Sequence, residues 1–142
     1  MNSAPDRVAA AQLEEFVAGA YRAVGVPPGD ADTIAKLMTA IDLRGLDGHG
    51  VFRLPQYIQR IRAGGINVNP DIRIARETDS TALIDGDNAV GHLVVREAAR
   101  VAMDKAAKSG VAWVGTNGSN HAGAASVYAM MPLERDLIGL YV

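Results

Sequence analysis

Apolar positions recur at helical spacing through the first part of the chain and in short clusters after it. Between Arg7 and Val24, Leu13, Phe16, Val17 and Ala20 fall at i, i+3, i+4 and i+7. That spacing predicts an amphipathic helix with these four residues on its inner face. Val26-Pro27-Pro28-Gly29 breaks the pattern. Asp30 or Asp32 is placed to cap a second helix, whose apolar face is Ile34, Leu37, Met38 and Ile41. A third helix is predicted over about residues 52–63, with Leu54, Ile58 and Ile61 buried. Pro55 falls in its first turn, where a missing N–H costs nothing, and Gly64-Gly65 stops it.

The pattern then changes. Residues 72–75 and 82–84 read as short strands, and Asp85-Gly86-Asp87-Asn88 as a turn. Val94, Val95, Ala98, Val101, Ala102 and Lys105 keep helical spacing over residues 91–108, with Gly110 as the stop. Residues 111–114 predict a buried strand, followed by a glycine-rich loop, a helix over about residues 122–131 and a strand over residues 137–142. The expected fold class is α/β: an N-terminal three-helix segment (1–65), then a β-α-β-α-β segment (66–142). The final run, DLIGLYV, carries no turn, cap or polar tail after it, which reads as a truncation.

Composition narrows the function classes. The chain has 142 residues, 49% apolar and 21% charged, which is ordinary for one globular domain with a real core. A net charge of -2 argues against a nucleic-acid binder or a polybasic membrane binder. The absence of cysteine excludes a disulfide scaffold and favours the cytoplasm. The N-terminus, MNSAPDRVAAAQLEEF, has no apolar run of the secretory kind. Ser109 to Leu133 is uncharged, but Thr116, Asn117, Ser119, Asn120 and His121 interrupt it, which argues against a membrane span.

Two stretches carry candidate chemistry. In LRGLDGHGVFRLPQY (43–57), His49, Arg53 and Tyr57 stand four apart, so on a helix they share one face. Gly48 and Gly50 leave the imidazole accessible. Histidine delivers a proton near neutral pH, and the planar fork of arginine matches a carboxylate. A proton donor beside a carboxylate clamp is what reduction of a 2-keto acid needs. The same residues equally fit a loop histidine that caps a helix and a surface arginine in an ion pair.

The second stretch, NGSNHAGAA (117–125), follows a strand and opens a helix. Its small residues let a ligand approach the backbone. Gly118 and Gly123 have phosphate-loop spacing, but Ala124-Ala125 replace the lysine and hydroxyl that a nucleotide triphosphatase needs. There is no GxGxxG fingerprint. A tight strand-to-helix turn with His121 as a satisfied polar residue fits equally. His92 reads as structural, and the three histidines have no metal-ligand spacing.

Together, DLRGLDGHGVFRLPQYIQRIRAGGI and GVAWVGTNGSNHAGAASVYAMMPLERDLIGLY resemble the two N-terminal signatures of a family. It is the malate/L-lactate dehydrogenase family that lacks a Rossmann fold and includes ureidoglycolate, sulfolactate and Δ1-piperideine-2-carboxylate reductases. The resemblance implies a larger non-Rossmann α/β dehydrogenase working as a homodimer. It implies an NAD or NADP cofactor and a 2-keto or 2-hydroxy acid substrate. By resemblance His49 is the proton donor and Arg53 holds the substrate carboxylate. Tyr57 lines the substrate pocket, and His121, Ala122, Gly123, Ala124 and Ala125 line the cofactor. His121 is a second candidate for acid/base catalysis. The family often has serine where this chain has Gly48, and family chains are more than twice as long. The expectation is therefore an N-terminal part of such an oxidoreductase, working with a second copy or a complementary C-terminal chain. A non-catalytic binding or assembly module derived from that family is the alternative.

Overall fold

The computed structural model describes residues 7–142; residues 1–6, the start of the stretch without a secretory signal, lie outside the described residues. Helices α1 (Ala10–Arg22) and α2 (Pro28–Asp42) pack face to face. Their shared core holds Val17, Ala18, Tyr21, Ala31, Ile34, Ala35 and Met38. The inner face of α1 is rotated from the predicted one. Tyr21 is fully buried, whereas Phe16 is 64% exposed. Tyr21 can turn inward because its hydroxyl donates to Met38 Sδ at 3.6 Å. Neither Asp30 nor Asp32 caps α2. Pro28 opens that helix instead, its fixed φ suiting the first helical position. Asp32 pairs with Arg22 across the two helices at 3.1 Å.

The chain leaves α2 through two short 3₁₀ turns, Asp47–His49 and Val51–Arg53, and enters α3 (Leu54–Arg62). Leu54, Tyr57 and Ile61 face the core, with Ile58 half-buried beside them. Gly64 ends the helix at φ +73°, a conformation that favours glycine.

The sheet has three strands in the order β1 (Arg73–Glu77), β2 (Thr81–Ala89), β3 (Trp113–Ser119). β1 and β2 are antiparallel, β2 and β3 parallel. Helix α4 (Gly91–Ser109) makes the crossover between β2 and β3 and stops at left-handed Gly110. Ala82 and Ile84 of β2 point under α4, against Val94, Ala98 and Val101. Helix α5 (Ala125–Ala129) and a 3₁₀ turn (Met131–Arg135) follow. No described helix is long and apolar enough to cross a membrane.

The α/β class holds, with four local differences. Asp85 to Asn88 continue β2 rather than turning, although Asp87 and Asn88 take positive φ (47° and 56°) where the β2–β3 register shifts. The strand predicted at 111–114 starts at Trp113, runs through the supposed glycine-rich loop to Ser119, and is largely exposed. The helix predicted over 122–131 is only five residues long, because the chain bends at Gly123 (φ +76°) and is extended at Ala124, with Ala122 and Ala124 packed into the core. Residues 137–142 form no strand; their backbone pairs with no sheet edge, and Ile138 is 99% exposed.

The rotated face of α1 is testable. Tyr21→Ala, emptying a fully buried site on α1, should cost about 3–5 kcal/mol in urea unfolding. Phe16→Ala should stay within about 0.5 kcal/mol. A large loss at Phe16 would restore the face predicted by spacing.

Candidate active site

The site begins where α2 ends. The Asp42 carboxylate accepts the Val51 N–H at 3.0 Å and so ties the end of α2 to the second 3₁₀ turn. A Cβ on Gly50 would lie 1.8 Å from Asp42 Oδ1. Gly50 is therefore glycine to admit that carboxylate, and not only to free the imidazole. Gly48 has open space around it, with nothing within 4 Å of a Cβ. Burial raises the Asp42 pKa above the usual carboxylate range; the Val51 N–H opposes the shift and the Asp47 charge adds to it.

Between these glycines His49 is exposed. His49 and Arg53 lie on separate 3₁₀ turns rather than on one helical face. Arg53 reaches back, its Nε donating to the Gly48 carbonyl at 2.9 Å and its Nη1 to Gln56 Oε1 at 3.2 Å. No carboxylate pairs with it among the described residues, so the ion-pair alternative finds no support.

His121 comes from the other end of the chain's order, just beyond β3. Its ring lies 6.0 Å from that of His49 and 6.0 Å from that of Tyr57, centre to centre. The Tyr57 hydroxyl stands 2.6 Å from His121 Nδ1. Burial lowers the pKa of His121, and Arg53 and His49 add to the shift. Burial raises the Tyr57 hydroxyl to about 12, with Arg53 opposing. Arg53, Gln56, Tyr57, Arg60, Asn120 and His121, with Ile66, wall a cavity of about 130 Å³. A larger groove of about 730 Å³, between α4, β3 and the chain's last residues, is bordered by none of His49, Arg53, Tyr57 or His121.

Gly91 and Asn120, to which the sequence assigned no role, and Gly123, to which it did, hold His121 in place. Gly91 lets the backbone pass: a Cβ there would lie 2.0 Å from the Asn120 carbonyl and 2.6 Å from that of His121. The Asn120 amide donates to Asn88 Oδ1 at 2.9 Å and to the Ala89 carbonyl at 3.0 Å. Gly123 takes φ +76°, and a Cβ on it would meet Ile41 Cδ1 at 2.7 Å and His92 Nε2 at 2.9 Å. Ala122 and Ala124 are buried in the core, whereas His121 and Ala125 are exposed. The wall residue Arg60 was also not anticipated, since an exposed helical arginine carries no signal by itself.

His92 lies behind the site, fully buried, edge-on to Tyr57 at 5.5 Å between ring centres. Among the described residues neither ring nitrogen has a hydrogen-bond partner. Burial pushes its pKa down to about 3, with His121 adding to the shift.

Comparison with known proteins gives this arrangement its context. The family model described as malate/L-lactate dehydrogenase matches residues 8–142. A malate dehydrogenase of Pyrococcus abyssi is 41% identical over 134 residues, covering 94% of this chain and 37% of that protein. An L-sulfolactate dehydrogenase of Methanothermobacter thermautotrophicus is 42% identical over 120 residues, covering 84% of this chain and 35% of that one. The solved malate dehydrogenase of Pyrococcus horikoshii superposes with a TM-score of 0.88 at 40% identity, over 92% of this chain and 37% of that one. The chain belongs to the malate/L-lactate dehydrogenase family and spans about 37% of the length of these malate dehydrogenases.

The neutral His92 has a pH signature. Its folded pKa of about 3 lies below the unfolded value near 6.5. Between those values the unfolded chain holds the extra proton, so stability rises with pH across that window. The contribution is complete above about 6.5 and is lost as pH falls toward about 3. Urea midpoints taken from about pH 7 to about pH 5 should fall with a slope of up to about 1.4 kcal/mol per pH unit from this proton. His92→Leu should remove that part of the slope; an unchanged slope would mean His92 is not the group.

Proposed function

We propose, with that membership as premise, that the chain carries the substrate-facing part of an NAD(P)-dependent 2-hydroxy acid dehydrogenase. It would interconvert a malate-like 2-hydroxy acid and its 2-keto acid by hydride transfer. The observation that carries this reading is the meeting of Arg53, Tyr57 and His121 on one small cavity, with the His49 ring 6.0 Å from that of His121. Residues 1–65 supply His49, Arg53 and Tyr57 as a helical segment, and residues 66–142 supply His121 to Ala125 as the first part of the α/β domain.

Each residue has a role that its chemistry allows. Arg53 grips the C1 carboxylate; its fork is anchored through Nε to the Gly48 carbonyl, which fixes its direction. Tyr57 lines the substrate pocket. His49 gives the proton to the carbonyl oxygen as C2 is reduced and takes it back in the reverse direction. His121 stands beside the same oxygen as a second polar group and remains a candidate acid/base. Arg60 adds a second guanidinium to the wall. Two cations favour an acid with a second anionic group over a lactate-like one, in keeping with the malate and sulfolactate dehydrogenases among the relatives.

The cavity of about 130 Å³ suits a small acid and is too small for a dinucleotide, whose pockets run to about 300 Å³ or more. The residues present fit only the nicotinamide end of a cofactor, along the exposed edges of His121 and Ala125 and the half-buried backbone of Gly123. Ala122 and Ala124 support that edge from the core. NAD or NADP, when bound, supplies or accepts the hydride at C2. Further cofactor contacts are assigned to a second copy in a homodimer or to a complementary C-terminal chain. The cytoplasm is the proposed compartment, in keeping with a chain that lacks cysteine.

One observation favours a second reading: the cavity of about 130 Å³ suits a small acid and is too small for a dinucleotide. A non-catalytic binding or assembly module would keep the acid site without turnover. The deciding assay is oxidation of NADH and of NADPH with a panel of 2-keto acids, beside calorimetric titration of the same acids. Turnover supports the dehydrogenase; binding without turnover supports the module. In the dehydrogenase, His49→Ala should lower reduction at least about 100-fold with acid binding little changed, and unchanged turnover would remove His49 as the acid. Arg53→Lys should raise KM for the keto acid about tenfold or more. A normal KM would remove Arg53 from the carboxylate site.

A further inference from the structure

We infer that Tyr57 is a positioning residue, whose hydroxyl acts with the Gly123 N–H to lock His121 as the neutral tautomer protonated on Nε2. The inference rests on the site proposed above but goes beyond pocket lining for Tyr57. Two groups converge on one nitrogen: the Tyr57 hydroxyl at 2.6 Å and the Gly123 backbone N–H at 3.3 Å, both on His121 Nδ1. A backbone N–H can only donate, so Nδ1 must offer a lone pair. Nδ1 therefore carries no proton, and the Tyr57 hydroxyl, which can play either part, donates as well. The neutral ring then holds its proton on Nε2.

The surroundings keep both partners in these states. His121 is flanked by Arg53, His49 and His92, and burial together with the first two holds it below its ordinary pKa. Tyr57 is 3% exposed, and burial keeps its proton on. Its ring is fixed edge-on against the buried His92, and its backbone by the packing of α3. Gly123 can aim its N–H at Nδ1 because it adopts φ +76°, which a residue with a side chain would adopt only under strain and against Ile41 and His92.

The consequence is directional. A His121 locked in this form presents an N–H, a hydrogen-bond donor, from its remaining nitrogen. It can stabilise charge that develops on a substrate oxygen as the carbonyl is reduced. A ring with the proton on Nδ1 would present a lone pair instead and repel that oxygen. Tyr57 thus acts on the substrate through His121.

The test is ¹⁵N NMR of the histidine rings in the full chain at neutral pH, where only three histidines need assignment. The expected spectrum of His121 has a protonated Nε2 and an unprotonated Nδ1. The Nδ1 resonance should be displaced upfield by the hydrogen bonds it accepts. In Tyr57→Phe, which keeps the ring and removes the hydroxyl, the Nδ1 resonance should move downfield. A purely packing role for Tyr57 would leave it in place. A proton on Nδ1 in the unmodified chain overturns the inference, and so does an Nδ1 resonance indifferent to Tyr57→Phe. If that variant fails to fold, the tautomer of the unmodified chain decides alone. The measurement needs no turnover, so an inert chain with the expected tautomer would sink the dehydrogenase reading and leave this inference standing.

Discussion

The site depends on one hydrogen bond between parts of the chain 64 residues apart, from Tyr57 on α3 to His121 beyond β3. Everything on the helical side, the two 3₁₀ turns with His49 and Arg53, is tied to α2 and α3. Everything on the other side is tied to the sheet and α4. Fixing a residue costs about 1–2 kcal/mol of backbone entropy, so a contact this distant forms only where both ends are already held. The Asp42 carboxylate holds one end, by its bond to the Val51 N–H. The Asn88–Asn120 pair and the passage over Gly91 hold the other.

Glycine plays different parts around this contact, and those parts are not interchangeable. Gly48 faces open space, so a small side chain would find room there. Gly50, Gly91 and Gly123 are each pressed by atoms of the protein itself: a carboxylate, a pair of carbonyls, a leucine-sized side chain and an imidazole. Their role is to bring elements close enough for the histidines to meet. A glycine-rich stretch around a histidine thus carries two messages, ligand access and internal closeness, and only the partner atoms separate them.

That is also the limit of what the sequence discloses. The helices over α1, α2, α3 and α4 follow from apolar spacing, because one buried stripe per helix leaves a local trace. Pro55, Gly64 and Gly110 mark boundaries for equally local reasons. The face of α1 is misjudged because Tyr21 does not count as apolar until Met38 is seen to receive its hydroxyl. Asp85 to Asn88 have turn composition, and Asp87 and Asn88 do take positive φ, yet β3 pairs with β2 on either side of them, at Asp85 and Ala89, so they form an irregularity within the strand. The two histidine motifs are visible one at a time, and the resemblance to the family joins them. Asp42, Gly91 and Asn120 are invisible by comparison, since their partners lie many residues away or in another element.

The electrostatics of the site follow from the same packing. Three imidazoles gather near one cavity, and cationic forms of all three would repel one another and Arg53. Burial answers this for His92, driven down to about 3, and the pKa of His121 is shifted in the same direction. The fixed positive charges on the cavity wall are then the guanidiniums of Arg53 and Arg60. A guanidinium keeps its charge across the whole physiological range, so anion recognition is separated from proton chemistry. Arg53 stays aimed because the Gly48 carbonyl takes its Nε proton and Gln56 Oε1 one Nη1 proton, leaving Nη2 and the second Nη1 proton to a carboxylate. The histidines are left to handle the carbonyl oxygen. The donor that His121 presents there depends on the hydroxyl of Tyr57, which returns the chemistry of the site to the contact on which its architecture rests.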